Sequence, residues 1–263
     1  MEAIGERING MFKAIGQAIR ETDVSVIEDM ARRQEEAGAD VLDLNVGPAA
    51  EDREAAMRWL VETVQGVSEL PLAIDSTNPD VMRAGLEACS NPGQAIINST
   101  TGEQEKLNAM MPMAAEHGCS IIGLTIDEEG VPGTAEGRME VALKLLASAM
   151  EHGVPTDRLY VDAVILPVNA LQDTPPRVLD VISQVQMLAD PPPKTVLGLS
   201  NVSQGSTLRP LLNRTYLVMC LARGLSAAIV DALDEELMDA MIAAEVLMNR
   251  AVYADDFLKA YRK

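Results

Sequence analysis

Residues able to hydrogen-bond or move protons recur in this chain at one kind of place, the end of a short apolar run. Val41-Leu-Asp-Leu-Asn45, Leu72-Ala-Ile-Asp-Ser76, Ala95-Ile-Ile-Asn-Ser99, Tyr160-Val-Asp162, Ala228-Ile-Val-Asp231 and Thr195-Val-Leu-Gly-Leu-Ser-Asn-Val-Ser-Gln204 all finish in carboxylates, carboxamides or hydroxyls. The resulting set is Asn9, Asp43, Asn45, Asp75, Asn98, Asp162, Ser200, Asn201 and Asp231, with few cations nearby. Carboxylates accept from amine and ring N–H groups, and carboxamides both donate and accept, so such a rim suits a neutral ligand rich in N–H donors, for example a heterobicyclic nitrogen base held edge-on. A phosphate would require arginine, lysine or a glycine-rich nest. The stretch ending in Ser200, Asn201, Ser203 and Gln204 is where the chemistry is expected.

Structural roles compete for the same residues. Asp or Asn just after a strand often caps the next helix, and Asp231, followed by Asp234 and Glu235, reads equally as a helix start. Asn98-Ser-Thr100 offers spare caps, which leaves Asn98 available. His117 and His152 each precede a glycine at a helix end and read as C-terminal dipole and capping features. Without HExxH, paired cysteines or a His/Cys cluster, no metal site is expected, and the missing GxSxG elbow argues against a serine hydrolase. Two carboxylates across a cleft would suit a glycosidase, but two Phe, one Trp and four Tyr leave little to stack on sugar rings.

These positions are delivered by alternating elements. Strands are expected at Ala3–Gly5, Val41–Val46, Leu72–Asp75, Ala95–Asn98, Ser120–Thr125, Leu159–Ala163, in the run from Thr195, and at Ala227–Val230. Between them apolar residues recur at helical spacing: Met57, Leu60, Val61 and Val64; Met82, Gly85, Leu86 and Cys89; Met139, Ala142, Leu143 and Leu146; Val178, Val181, Ile182 and Val185; Leu237, Met241, Ala244 and Met248. Further helices are expected from Asp23 or Thr22 to about 38, over 103–117 and 211–222, and in the tail 253–263. Eight strand–helix units, with strands apolar on both faces, predict a (β/α)₈ TIM barrel forming one domain over 1–263. A doubly wound open sheet is the alternative, but no GxGxxG turn follows the first strand. In a barrel the catalytic groups lie at strand C-termini, where this sequence concentrates them. The Gly/Pro-bearing loop through Gly137 is expected to cover the pocket.

Composition narrows the function further. Lys+Arg of 21 against Asp+Glu of 40 gives a net charge of −19, which disfavours nucleic acid and anionic membranes as partners. Cys89, Cys119 and Cys220, an odd number without CxxC spacing, suit a reduced cytoplasmic interior and read as small core residues. No apolar run reaches membrane-spanning length and no basic-then-apolar leader opens the chain.

At Gly5-Glu-Arg-Ile-Asn-Gly10, Leu42-Asp-Leu-Asn-Val-Gly47, Ile74-Asp-Ser76, Ile97-Asn-Ser-Thr100 and Gly198-Leu-Ser-Asn-Val-Ser203 the chain resembles the pterin-binding methyltransferases. It is most similar to the methyltetrahydrofolate:corrinoid/iron–sulfur protein methyltransferases, and less so to the folate domain of cobalamin-dependent methionine synthase and to dihydropteroate synthase. The resemblance implies a homodimeric barrel that binds tetrahydrofolate or 5-methyltetrahydrofolate at the strand C-termini. It also implies methyl transfer, in either direction, between N5 and the cobalt of a corrinoid (cobalamin) carried by a partner protein docked at the barrel mouth. Asp75 and Asp162 would accept from the pterin's amine and ring N–H groups, Asn98 would hold the same ring, and Asn201 would reach N5. Asp43, Ser200, Gln204 and Arg209 would surround them, with Gly198 admitting the backbone close to the ring. Departures from the acetogenic enzymes at Ser90–Gln94 and Asp127–Gly137 mark loops expected to touch the partner. A dihydropteroate synthase-like condensing enzyme and a noncatalytic folate-binding module are the alternatives.

Overall fold

The computed structural model describes residues 1–48 and 50–252. Its strands are β1 (Glu2–Asn9), β2 (Val41–Asn45), β3 (Leu72–Asp75), β4 (Ile96–Thr101), β5 (Ser120–Leu124), β6 (Leu159–Asp162), β7 (Lys194–Val196) and β8 (Ala227–Val230). The helices are α1 (Lys13–Glu21), α2 (Val24–Glu36), α3 (Arg53–Gln65), α4 (Pro79–Ala88), α5 (Gln104–His117), α6 (Ala135–Glu151), α7 (Thr174–Val185), α8 (Arg209–Ala222) and α9 (Glu235–Leu247).

The strands run parallel in the order β7-β6-β5-β4-β3-β2-β1-β8. The two edges meet through Ser226 N–H to Thr195 C=O at 3.2 Å and Ile229 N–H to Leu197 C=O at 2.9 Å, with Gly198 bridged to Ile229. This is the expected (β/α)₈ TIM barrel. Its interior is filled by Ile4, Val41, Ala73, Ile96, Ile122, Tyr160, Val196 and Ala227, the inward-pointing layer that makes such a barrel a packed core rather than a pore. The alternate residues, among them Leu42, Leu44, Ile74, Ile97 and Val161, face the helices and join the larger outer core.

The N-terminal end of the barrel is sealed by a polar plug. The Tyr160 hydroxyl donates to Glu2 Oε2 at 2.5 Å, and Lys194 Nζ donates to Glu2 Oε1 at 3.1 Å and to Tyr160 Oη at 2.8 Å. Lys194 also sits 4.7 Å from the centre of the Tyr160 ring. Each polar atom drawn under the core thereby gains a partner.

Four local expectations are corrected. A separate helix, α1, precedes α2; Thr22, at φ 51°, interrupts the chain between them, and Asp23 caps α2 by accepting from Ser25 N–H. On α6 the buried stripe is Val141, Ala142, Leu145, Leu146 and Ala149, while Leu143 is 51% exposed. Apolar residues flank both sides of that helix, so its periodicity fitted two registers. The run from Thr195 leaves the sheet after Val196 and coils into a 3₁₀ turn, Leu199–Ser203. Ser90–Gln94 precedes β4, at the opposite end of the barrel from the mouth, and so cannot touch a partner seated there. The tail 253–263 lies outside the described residues. Among the described residues no helix is long and apolar enough to cross a membrane, and no group of three or more His, Cys, Asp or Glu could hold a metal ion.

Candidate functional site

Strand alternation explains how the acids and amides come together. Side chains two apart share a face, so each residue of the interior layer predicts what lies one layer nearer the C-terminal mouth. Ile4 leads to Glu6, Val41 to Asp43 and Asn45, Ala73 to Asp75, Ile96 to Asn98, Ile122 to Leu124, Tyr160 to Asp162 and Val196 to Gly198. An apolar floor is thus overlaid by a layer of carboxylates and carboxamides, broken by Leu124 on β5, Gly198 on β7 and, two residues beyond Ala227, Ile229 on β8.

Within this layer Asp43, Asp75 and Asn98 form one connected group. Asn98 Nδ2 donates to Asp43 Oδ1 at 2.8 Å, and Asn45 Nδ2 donates to Asp75 Oδ2 at 2.6 Å while its Oδ1 accepts from Gly47 N–H at 2.6 Å. Asp75 and Asn98 are register partners on β3 and β4. Beyond Asn98 the register with β5 shifts, an irregularity of the kind that re-aims neighbouring side chains. Across the barrel, Asp162 accepts from Val164 N–H at 2.7 Å and from Gly198 N–H at 3.1 Å. A Cβ at Gly198 would stand 3.1 Å from Asn201 Nδ2, so the glycine leaves room for that amide.

The carboxyls hold their protons unusually well. Burial, reinforced by the charge of Asp75, raises Asp43 well above the ordinary carboxylate range despite the hydrogen bond from Asn98. Burial also raises Asp75 to about 6 against the opposing bond from Asn45. Asp162 reaches about 6 for the same reason, against backbone bonds from Val164 and Gly198 and the field of Arg138. Near neutral pH, Asp75 and Asp162 are strong acceptors for N–H groups, while burial and the charge of Asp75 favour the protonated form of Asp43.

The remaining candidates divide by role. Asn201 is exposed, and its side-chain amide has no hydrogen-bond partner among the described residues, which leaves it able to engage a ligand. Gln204, also exposed, follows directly after the turn. Ser200 Oγ donates to Glu6 Oε1 at 2.7 Å. Arg209 is committed to the turn, donating from Nε to Ser203 Oγ at 3.1 Å and from Nη2 to Ser200 C=O at 3.2 Å. Asn9 accepts from Met11 N–H and shapes a turn. Asp231 accepts from Arg7 Nη1 at 3.1 Å, and it is Asp234 that caps α9.

Two residues escaped sequence reasoning. Glu6 belongs to the inward layer but stands past Gly5, where the sequence predicts the first strand to end, whereas β1 runs on to Asn9; the alternation after Ile4 is the signal that reaches it. Arg138, 1% exposed, donates to the carbonyls of Pro132 at 3.0 Å, Ala163 at 2.8 Å and Val164 at 3.1 Å, pinning the β5–α6 loop to the backbone just past Asp162. No sequence pattern distinguishes it from a surface arginine of an amphipathic helix. Arg138→Ala would leave these carbonyls short of donors. It is expected to lower unfolding stability by about 3 kcal/mol or more, read as a reduced denaturation midpoint at unchanged m-value.

Fold and mouth together define a TIM-barrel enzyme scaffold with acids and amides gathered above its core. The chain belongs to the family described as pterin binding enzyme, whose model matches residues 13–231. It is 29% identical over 267 residues to a methylcorrinoid:tetrahydrofolate methyltransferase of Eubacterium limosum, covering 100% of this chain and 97% of that protein. It is 33% identical over 243 residues to the methionine synthase of Mycobacterium tuberculosis, covering 87% of this chain but only 20% of that much longer protein. Among solved structures, dihydropteroate synthase from Stenotrophomonas maltophilia superposes with a TM-score of 0.70 at 18% identity, covering 96% of this chain and 94% of that one. The Yersinia pestis dihydropteroate synthase with a pterine-sulfa conjugate gives 0.67 at 14% identity, covering 95% and 94%. At such identities these two speak for the fold alone.

Proposed function

We propose that this enzyme moves a methyl group between N5 of tetrahydrofolate and the cobalt of a corrinoid carried by a separate protein. The observation that carries this reading is the inward layer of Asp43, Asp75, Asn98 and Asp162, with the unpartnered amide of Asn201 on the turn beside Asp162. Asp75 and Asp162 would accept from the pterin's amine and ring N–H groups, and Asn98, held by Asp43, would align the same ring. Methyl transfer away from a tertiary amine makes N5 a poor leaving group unless it gains a proton or a strong hydrogen bond as the bond breaks. Asn201, which has no titratable proton, would hold that proton in place by hydrogen bonding while it arrives from water or a neighbouring carboxyl. The corrinoid supplies the cobalt that gives or takes the methyl group. The name of the full-length relative favours tetrahydrofolate as the acceptor.

The partner would dock over the mouth. Exposed Met11, Phe12, Leu171, Leu208 and Leu211 lie on segments that follow β1, β6 and β7, giving that end an apolar rim. Homodimer formation extends the family resemblance to this chain, and a cytoplasmic setting is favoured by the free Cys89, Cys119 and Cys220. A dihydropteroate synthase-like reaction is the weaker reading, because a pyrophosphate leaving group needs cations and the two arginines near these strand ends are engaged, Arg7 by Asp231 and Arg209 by the 3₁₀ turn. The deciding experiment mixes the protein with free cobalt(I) corrinoid and 5-methyltetrahydrofolate, and with methylcobalamin and tetrahydrofolate, following the cobalt absorption. A change in either mixture supports the reading. No change in both, with product formed instead from p-aminobenzoate and a pterin pyrophosphate, overturns it.

A further inference from the structure

Glu6 reaches from the first strand, past β8, to the 3₁₀ turn that follows the seventh, and its Oε1 accepts from Ser200 Oγ at 2.7 Å. Ser200 immediately precedes Asn201, so this bond fixes the residue next to the amide assigned to N5. A turn of this kind holds itself weakly: Asn201 N–H to Gly198 C=O is 3.3 Å and Gln204 N–H to Asn201 C=O is 3.2 Å. It is therefore gripped from outside at four places. Asp162 takes Gly198 N–H ahead of the turn, Val168 N–H donates to the Val202 carbonyl at 2.9 Å, Arg209 binds the Ser200 carbonyl and Ser203 hydroxyl from α8, and Glu6 binds the Ser200 side chain from β1. Of these four, the Glu6 bond is the one that ties the turn to β1. The charged groups facing Glu6 are Asp231 just past β8, Arg7 on its own strand, Arg209 on α8 and Asp43 on β2. Two cations set against two acids leave the directional bond to Ser200 as the feature that sets its geometry.

We propose that Glu6 is a positioning residue for methyl transfer: through Ser200 it latches the turn so that the Asn201 amide stands where N5 arrives. This rests on the function proposed above. A displacement of about 1 Å at a reacting group can cost on the order of 100-fold in rate. Glu6→Ala and Ser200→Ala are each expected to slow single-turnover methyl transfer by roughly 10- to 100-fold, with reduced-folate affinity by calorimetry changed less than about threefold. Because one bond is removed in either case, the double variant should be no slower than the worse single variant. Glu6→Gln keeps an oxygen acceptor for Ser200 and should recover most of the loss. Amide exchange over 199–204 should accelerate in Glu6→Ala and not in Glu6→Gln. Multiplying penalties in the double variant, a Gln variant as slow as Ala, or unchanged exchange would overturn the latch. A wild-type protein inert toward both cobalt mixtures would remove the function instead, and the exchange comparison would still decide the latch.

Discussion

Replacing Asn201 with alanine is expected to slow single-turnover methyl transfer by about 100- to 1,000-fold, the range found when one preorganised donor to a developing charge is removed. Reduced-folate affinity should change only a few-fold. The asymmetry follows from position: Asn201 is exposed on the turn, whereas the acids that would hold the pterin lie in the layer beneath it. Since the exposed side chain has no hydrogen-bond partner among the described residues, its removal should leave the denaturation midpoint nearly unchanged. Stopped-flow absorption of the cobalt centre gives the rate, and calorimetry gives the affinity. A rate within threefold of wild type would remove Asn201 from the mechanism, and a parallel loss of rate and affinity would make it only a binding contact.

The second large effect is on pH. Asp75 would bind the pterin as a carboxylate, yet burial has moved it from 3.8 to about 6. Affinity for reduced folate is therefore expected to weaken as pH falls through about 6, by up to tenfold per pH unit below it for each carboxylate that must ionise. Unliganded stability should move in the opposite direction. The folded state keeps this proton where the unfolded chain has released it, so stability declines as pH rises from about 4 to about 6 and is level beyond, by up to about 3 kcal/mol per group. In Asp75→Asn the oxygen facing Asn45 can still accept, and no charge remains to ionise. The variant should lose its share of both slopes and, at pH 7, roughly 10- to 100-fold in affinity, the worth of a charge-assisted hydrogen bond. Calorimetry and denaturant titrations across pH 4.5 to about 8 would check both limbs. A wild-type affinity flat across that range would show that ionisation of Asp75 is not part of binding.

The strands were legible because short runs apolar on both faces have few other uses, and Asp43, Asp75, Asn98 and Asp162 were legible because each ends such a run two residues beyond an interior side chain. Glu6 obeyed the same rule but was cut off with its strand, since Arg7 and Asn9 look like loop residues until β1 is seen continuing through a register shift at its pairing with β2. The roles of Arg209 and Ser200 were hidden for a different reason. Their partners, the Ser200 carbonyl, Ser203 and Glu6, depend on a 3₁₀ turn that has no periodicity to read, in a stretch whose apolar residues suggested a longer strand. Leu143 shows the opposite failure, a helix with so many apolar positions that the pattern no longer says which face is inside.

The plug of Glu2, Tyr160 and Lys194 shuts the barrel's lower end, and the packed interior blocks passage through its middle. A small substrate held among the acids would have one doorway, the same opening that the proposed macromolecular partner would cover. Binding would then follow a compulsory sequence, folate entering before the partner arrives and departing after it leaves. Saturating amounts of the partner would trap the folate, making its release, rather than the chemical step, the slowest event in each turnover.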